Sequence, residues 1–230
     1  MRFLALLVAF SAAACGGSDL SALPVDAKLF ASSDPLGQTL FAGLSYDGTQ
    51  KCFTFGDLHA KVNGVSVPVG NSGPFTDSNG GTGCHFPAFE VDPAPVVAQV
   101  VIEVTDGTRT IQATYASPCL PRTLTVVSPS DGVMHQDQAV TIQWSPLTDQ
   151  LGPLNGGEFQ GANRDDTEAL PPITALSGNR IQFTVPGGYE PGLATISLSD
   201  LGQPAVLDCE GISSCTWNSA LTATARLPYQ

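Results

Sequence analysis

The sequence predicts an all-β protein built as two tandem sandwich domains, and three observations carry that expectation. Val, Thr and Ile dominate the ordered-looking stretches, and their side chains suit a pleated sheet. No stretch sustains the apolar spacing of three and four residues that a helix requires. Short alternating segments recur instead, separated by turns rich in Gly, Asn and Pro, which is the rhythm of a sandwich. The 24 glycines and 18 prolines among 230 residues agree with it.

The first element in order is a leader. Met1-Arg2 is a cationic head, Phe3 to Phe10 an unbroken apolar run, and Ser11-Ala12-Ala13-Ala14 a small-residue site before Cys15. This layout marks residues 1–14 as a secretory signal peptide, too short in its apolar part to span a bilayer. A cysteine directly after such a site resembles the lipobox of bacterial lipoproteins, although Ala12 stands where that family usually carries leucine. The resemblance implies that the Cys15 thiol receives a diacylglyceryl group, and residues 15–26 then read as a lipidated tether. Gly16, Gly17, Ser18 and Ser21 suit a leash better than a core. Ala12-Ala13-Ala14 also fits the cleavage site of an ordinary secreted protein, which is the alternative. The expected address is the cell envelope, with the protein held at a membrane by its N-terminal lipid. Gly16 rather than Asp follows the cysteine, so the outer membrane is expected if the host is Gram-negative.

Cleavage after Ala14 leaves 216 residues, enough for two modest domains. The chain carries 21 carboxylates against 9 Lys and Arg, and its net charge of −12 becomes about −13 once Arg2 is removed. With no basic patch, the composition argues against nucleic acid and against electrostatic docking on anionic lipid. A solvated surface that keeps an exported protein soluble explains the acidity, with a cationic partner or Ca²⁺ as the alternative.

Five cysteines follow Cys15, and in an oxidising compartment most of them pair. Cys209 and Cys215 enclose a short loop between two strand-like segments, the best-supported bridge. Cys52 with Cys84 is the second pairing, flanking a hairpin and a Gly-rich loop. Cys119 is left as a buried thiol, with a bridge to Cys52 or Cys84 as its alternative. No C-x-x-C occurs, so neither a redox site nor structural zinc is supported.

Residues 27–118 read as the first sandwich. Leu40, Ala42, Leu44 and Tyr46 alternate, the period of a half-buried strand. Asn63-Gly64 is a two-residue hairpin turn, around which Val62 faces Val65, Ala60 faces Val67 and Leu58 faces Val69, all on one apolar face. A second hairpin at Asp106-Gly107 is expected to oppose Ile102 with Ile111 and Val100 with Ala113. Asn71 to Gly83 reads as an exposed loop, and Ser117-Pro118-Cys119-Leu120-Pro121 as a joint.

Residues 119–230 read as the second sandwich. Leu124 and Val126 open it, and Val140, Ile142 and Trp144 line one face of the next strand before Pro146 stops it. This apolar-x-apolar-x-Trp strand followed by Pro resembles fibronectin type III and related immunoglobulin-like modules. The resemblance implies an indole in the middle of the sandwich core. The tyrosine those modules carry in a later core strand is missing from Ala194 to Leu198, and the Cys209/Cys215 loop is not one of their features. Ile181-x-Phe183-x-Val185, Ala194-x-Ile196-x-Leu198 and Leu221-x-Ala223-x-Ala225-x-Leu227 supply further strands. Residues 147–170, with Gly156-Gly157 and Asp165-Asp166, read as loop or a poor edge strand.

Little in the chain points to catalysis. Gly70-Asn71-Ser72-Gly73-Pro74 resembles the nucleophile loop of trypsin-like proteases, but only His59 precedes it, and no upstream acid and base are placed to complete a triad. His85 beside Cys84 and His135 in a polar turn lack partner ligands. Asp77-Ser78-Asn79-Gly80 and Asp165-Asp166 with Glu168 lack the alternating order of a Ca²⁺ loop and read as solvated turns. Phe53, Phe55, Phe86 and Phe89 read as packing rather than as a sugar platform.

No catalytic residue, metal or cofactor is therefore expected. The chain reads as a non-catalytic envelope lipoprotein whose loops bind a protein or polysaccharide. The alternatives are an envelope hydrolase working through surface carboxylates and a subunit of a larger envelope complex.

Overall fold

The computed structural model describes residues 18–230 apart from 35–36, 48–51, 79, 148, 152–155, 163–164, 166, 200 and 220–221. The expected signal peptide and lipidation site, residues 1–14 and Cys15, lie outside the described residues.

Nine strands come from the first half of the chain. They are β1 (Lys28–Ser33), β2 (Leu40–Ser45), β3 (His59–Val62), β4 (Val65–Val67), β5 (Gly73–Thr76), β6 (Thr82–His85), β7 (Ala88–Val91), β8 (Gln99–Thr105) and β9 (Thr110–Ala116). One sheet carries the order β1-β2-β7 and the facing sheet the order β4-β3-β8-β9, while β5 and β6 form a separate hairpin. Alternation builds the core between them. Leu29, Ala31, Leu40, Ala42 and Leu44 are buried from one sheet, and Val100, Ile102, Ile111, Ala113 and Tyr115 from the other. Each fully buried aliphatic side chain contributes roughly 1.5–3 kcal/mol.

The second half adds β10 (Thr123–Ser128), β11 (Ala139–Ser145), β12 (Asp149–Leu151), β13 (Gly156–Ala162), β14 (Glu168–Ala169), β15 (Thr174–Leu176), β16 (Arg180–Thr184), β17 (Glu190–Ser199), β18 (Gly202–Pro204), β19 (Val206–Glu210), β20 (Ser214–Trp217) and β21 (Ala223–Tyr229). Its sheets run β10-β11-β16-β15 and β14-β13-β17-β21, with β12 and β18 paired apart. Trp144 is fully buried at the centre, among Val140, Ile142, Phe159, Phe183 and Ile196.

Both sandwiches follow the strand order of the immunoglobulin fold. In its lettering β10-β11-β16-β15 is A-B-E-D and β14-β13-β17-β21 is C′-C-F-G. The first sandwich reads A-B-E over C′-C-F-G in the same way, from β1-β2-β7 and β4-β3-β8-β9. The protein is all-β and immunoglobulin-like.

Four local expectations differ from the structure. Val62 faces Val65 and Ala60 faces Val67 around Asn63-Gly64, yet Val65 is 67% exposed, because β4 is an edge strand overhanging the core. The β8–β9 register is offset by two residues: Ile102 faces Ala113 and Val104 faces Ile111. The cause is a wider turn. Asp106 accepts from the N–H groups of Thr108 and Arg109, at 2.9 and 2.7 Å, so pairing closes only at Thr105 and Thr110. An offset of two keeps every side chain on its face. The Asn71–Gly83 stretch contains β5 and the start of β6 rather than loop alone. Finally, β13 lies inside the 147–170 stretch and is a central strand, bonded to both β14 and β17.

The chain also divides differently from a cut at Pro118. β19 pairs antiparallel with β9, and β20 pairs parallel with β1. The segment between strands F and G of the second sandwich thereby extends both sheets of the first, and Val206, Ile212, Cys215 and Trp217 pack into the first core. The physical reason is edge protection: β1 and β9 would otherwise present unpaired backbone on the same side of the sandwich. Among the described residues, the chain changes core between Cys119 and Leu124, between Leu201 and Val206, and between Trp217 and Ala223.

Candidate functional site

Three segments interlock through hydrogen bonds at one end of the first sandwich. The first is the chain entering from the N-terminus. Ser18 N donates to Thr54 O at 2.7 Å. Asp19 caps a short 3₁₀ turn, Leu20–Ala22, by accepting from the N–H groups of Ser21 and Ala22. Leu20 is fully buried in the first core. The expected tether over 15–26 is thus packed from Ser18 onward, because Leu20, Leu23 and Ala27 supply apolar contacts a leash would lack.

The second segment is the β8–β9 turn. The Asp106 carboxylate accepts from Leu20 N at 2.7 Å, from Thr108 N and Arg109 N, and from Thr108 Oγ1 at 2.8 Å. Partial desolvation works to raise its pKa, but these four hydrogen bonds outweigh it and hold the group far below the usual carboxylate range. The third segment is the tip between β19 and β20. The Arg109 guanidinium donates to Leu20 O at 2.9 Å and to Gly211 O. Ser213 Oγ lies 2.7 Å from Val25 O and 3.0 Å from Ala27 O. Gly211 has φ +74°, and a Cβ there would sit 2.2 Å from Thr110 O, so only glycine lets the tip close. Leu23, Pro24, Val25, Ile212 and Ser213 surround a depression of about 230 Å³ with Arg109 in its wall.

A second concavity, of about 460 Å³, lies on the outer face of the β1-β2-β7 sheet, lined by Phe30, Phe41, Val69, Ala88 and Glu90 among others. It is shallow and open.

Disulfides join Cys52 to Cys84, with Cα atoms 5.3 Å apart, and Cys209 to Cys215, with Cα atoms 5.7 Å apart. Cys119 is a buried thiol in the first core, and burial pushes its pKa up to about 11. Its side chain packs among the apolar residues of that core.

The remaining residues singled out in sequence are not brought together. Ser72 Oγ accepts from Phe55 N at 2.9 Å and so ties down a turn. His59 is exposed on β3 opposite Thr105. The His85 ring packs on Phe75, their centroids 4.3 Å apart. His135 bonds Asp131 at 2.8 Å, and hydrogen bonds from Val133 N and His135 lower the Asp131 pKa. Asp77 accepts from Gly81 N at 2.8 Å within its own turn. Glu168 lies exposed on β14 opposite Phe159, and Asp165 is exposed beside it in the chain. Among the described residues no group of three or more His, Cys, Asp and Glu side chains is placed to hold a metal ion. Phe53, Phe55 and Phe89 are buried and Phe86 packs against the same core. Phe53 and Phe86 both meet the Tyr46 ring edge-on, and Phe53 N donates to Tyr46 Oη at 3.1 Å.

Sequence reasoning missed Asp106, Arg109 and Ser213, the residues that fasten this pole. Only the Asp106-Gly107 turn signal pointed near them, because their partners lie some 90 to 190 positions away.

The class this defines is an all-β protein of two immunoglobulin-like sandwiches, the second of which donates two strands to the first. No protein-family model matches the sequence, and no curated protein matches it by sequence. Among solved structures the chain is similar to murine CEACAM1b, at 11% identity, with 82% of this chain and 99% of that one covered and a TM-score of 0.22. It is also similar to the titin domains Z1Z2 solved in complex with telethonin, at 10% identity, with 89% and 93% covered and a TM-score of 0.21.

Proposed function

We propose that the protein is a non-catalytic envelope lipoprotein, anchored through a diacylglyceryl thioether on Cys15, whose second sandwich is held out to a protein or polysaccharide partner. The supporting observation is the position of the two attachments. Chain entry at Ser18 and the Asp106–Arg109 turn mark one end of the first sandwich, whereas the connections to the second sandwich leave from the other, at Ala116–Ser117 and Asn218. An anchor at Cys15 therefore holds the first sandwich by one end and leaves the second at the far end. If the host is Gram-negative, the proposed address is the outer membrane, because Gly16 rather than Asp follows Cys15.

Crosslinking in intact cells tests the reading, with mass spectrometry identifying captured neighbours. The expected products join the second sandwich, through Lys-free loops such as 129–138, to one recurrent envelope partner when a carboxylate-directed reagent is used. Capture of only random abundant proteins, or turnover of envelope glycans that is lost on carboxylate substitution, would contradict it.

A further inference from the structure

We infer that the pole carrying Leu23, Pro24, Val25 and Ile212 rests directly on the lipid surface, with Arg109 against lipid phosphate. The inference rests on the anchor reading above and goes further, because it names a second contact with the bilayer.

Chain length forces the proximity. Only Gly16 and Gly17 separate Cys15 from Ser18, which is already bonded to Thr54. At roughly 3.3–3.6 Å per residue, the Cα of Cys15 lies no more than about 11 Å from that of Ser18. A lipid on that sulfur leaves no room for a leash.

The surface at this end of the sandwich has the character of an interfacial contact. Val25 is 89% exposed, the most exposed large apolar residue described, and it stands beside the partly exposed Leu23, Pro24 and Ile212. Exposed apolar side chains grouped around a depression mark contact sites. Arg109 supplies charge complementarity. Among the described residues its side chain donates to two neutral carbonyls, and no carboxylate lies at ion-pair distance. A guanidinium has five N–H donors, so others remain for a phosphate oxygen. The neighbouring carboxylates of Asp19, Asp26 and Asp106 oppose an anionic surface, so the fitting occupant is a zwitterionic bilayer.

The test uses the mature chain, residues 15–230, coupled through Cys15 to maleimide-bearing lipid in phosphatidylcholine vesicles with brominated acyl chains. Vesicle-bound protein is isolated by flotation. Val25→Trp is compared with Val65→Trp, on an exposed residue at the Asn63-Gly64 end, and the emission of the parent chain is subtracted. The expected result is bromine quenching several-fold larger at position 25, with hydrogen exchange slowed at 23–25 and 211–213 relative to untethered protein. Equal quenching at both positions, or unchanged exchange at this pole, would overturn the inference. Because the tether is chemical, its outcome is separate from that of the anchor reading, which fails only if native Cys15 carries no lipid.

Discussion

Cys209 and Cys215 are bonded to each other, yet they stand in opposite sheets of the first sandwich. Cys209 faces Ala113 on β9 and Cys215 lies beside Leu29 on β1. The bridge therefore staples the two layers together at an edge, using a hairpin supplied by the second sandwich. β1 and β9 are thereby interior strands, and the short β20 and β19 become the edges on that side.

Breaking this staple should weaken the first sandwich selectively. By loop entropy alone so small a ring is worth about 2 to 3 kcal/mol. The Cys209→Ser, Cys215→Ser double variant should lose about that much. Denaturant unfolding followed through Trp217, in the first core, should move more than unfolding followed through Trp144, in the second.

Removing the hairpin altogether should do worse. Replacing 206–217 by a short Gly/Ser link uncovers β1 and β9 and opens the core site filled by Trp217. Exposed edges recruit other chains. The expected outcome is a shift to oligomers on size-exclusion chromatography, whereas the disulfide variant stays monomeric.

Asp106 should make the pole acid-sensitive. Its folded-state pKa is depressed, so its contribution is complete above the unfolded value of about 3.9 and is lost as the pH falls below it. Asp106→Asn should cost about 1 to 2 kcal/mol near neutral pH, the worth of charge-assisted hydrogen bonds on a partly exposed group. The difference between variant and parent should shrink as the pH is lowered through 4. Thermal unfolding between pH 3 and 7 measures it.

Gly161 tests the missed strand. A Cβ at this position would sit 2.2 Å from the Tyr189 ring, which itself packs on Phe159, their centroids 5.1 Å apart. Gly161→Ala should overpack the second core and cost about 1 to 3 kcal/mol. Calorimetry should show this loss in the second sandwich.

These cases explain what was readable in the chain. The Asn63-Gly64 hairpin was legible because turn chemistry and alternation agreed locally, and Asn63 does adopt φ 50°. The Val140–Trp144 strand was legible because its apolar period is unbroken. β13 was hidden because Gly157 and Gly161 erase the apolar signal where the Leu170, Leu198 and Tyr189 side chains need the room, and Gly156, at φ +152°, adds another gap. The tyrosine absent from Ala194–Leu198 is replaced by Tyr189 and Tyr229, which flank Phe159; Tyr229 Oη donates to Pro186 O at 3.0 Å. The strand donation was invisible because β20 and β1 are about 186 positions apart, and parallel pairing leaves no turn between them. The fastened pole was obscured for a related reason: small polar residues after Cys15 read as a leash until Leu20 is seen buried.

The account depends most on an acylated sulfur seated beside this pole. Mass spectrometry of the N-terminal peptide from purified cell envelopes measures it directly. The expected peptide begins at Cys15 and carries a diacylglyceryl mass on the thiol. A mature chain that begins elsewhere, or an unmodified Cys15 in protein released from cells, would contradict the account.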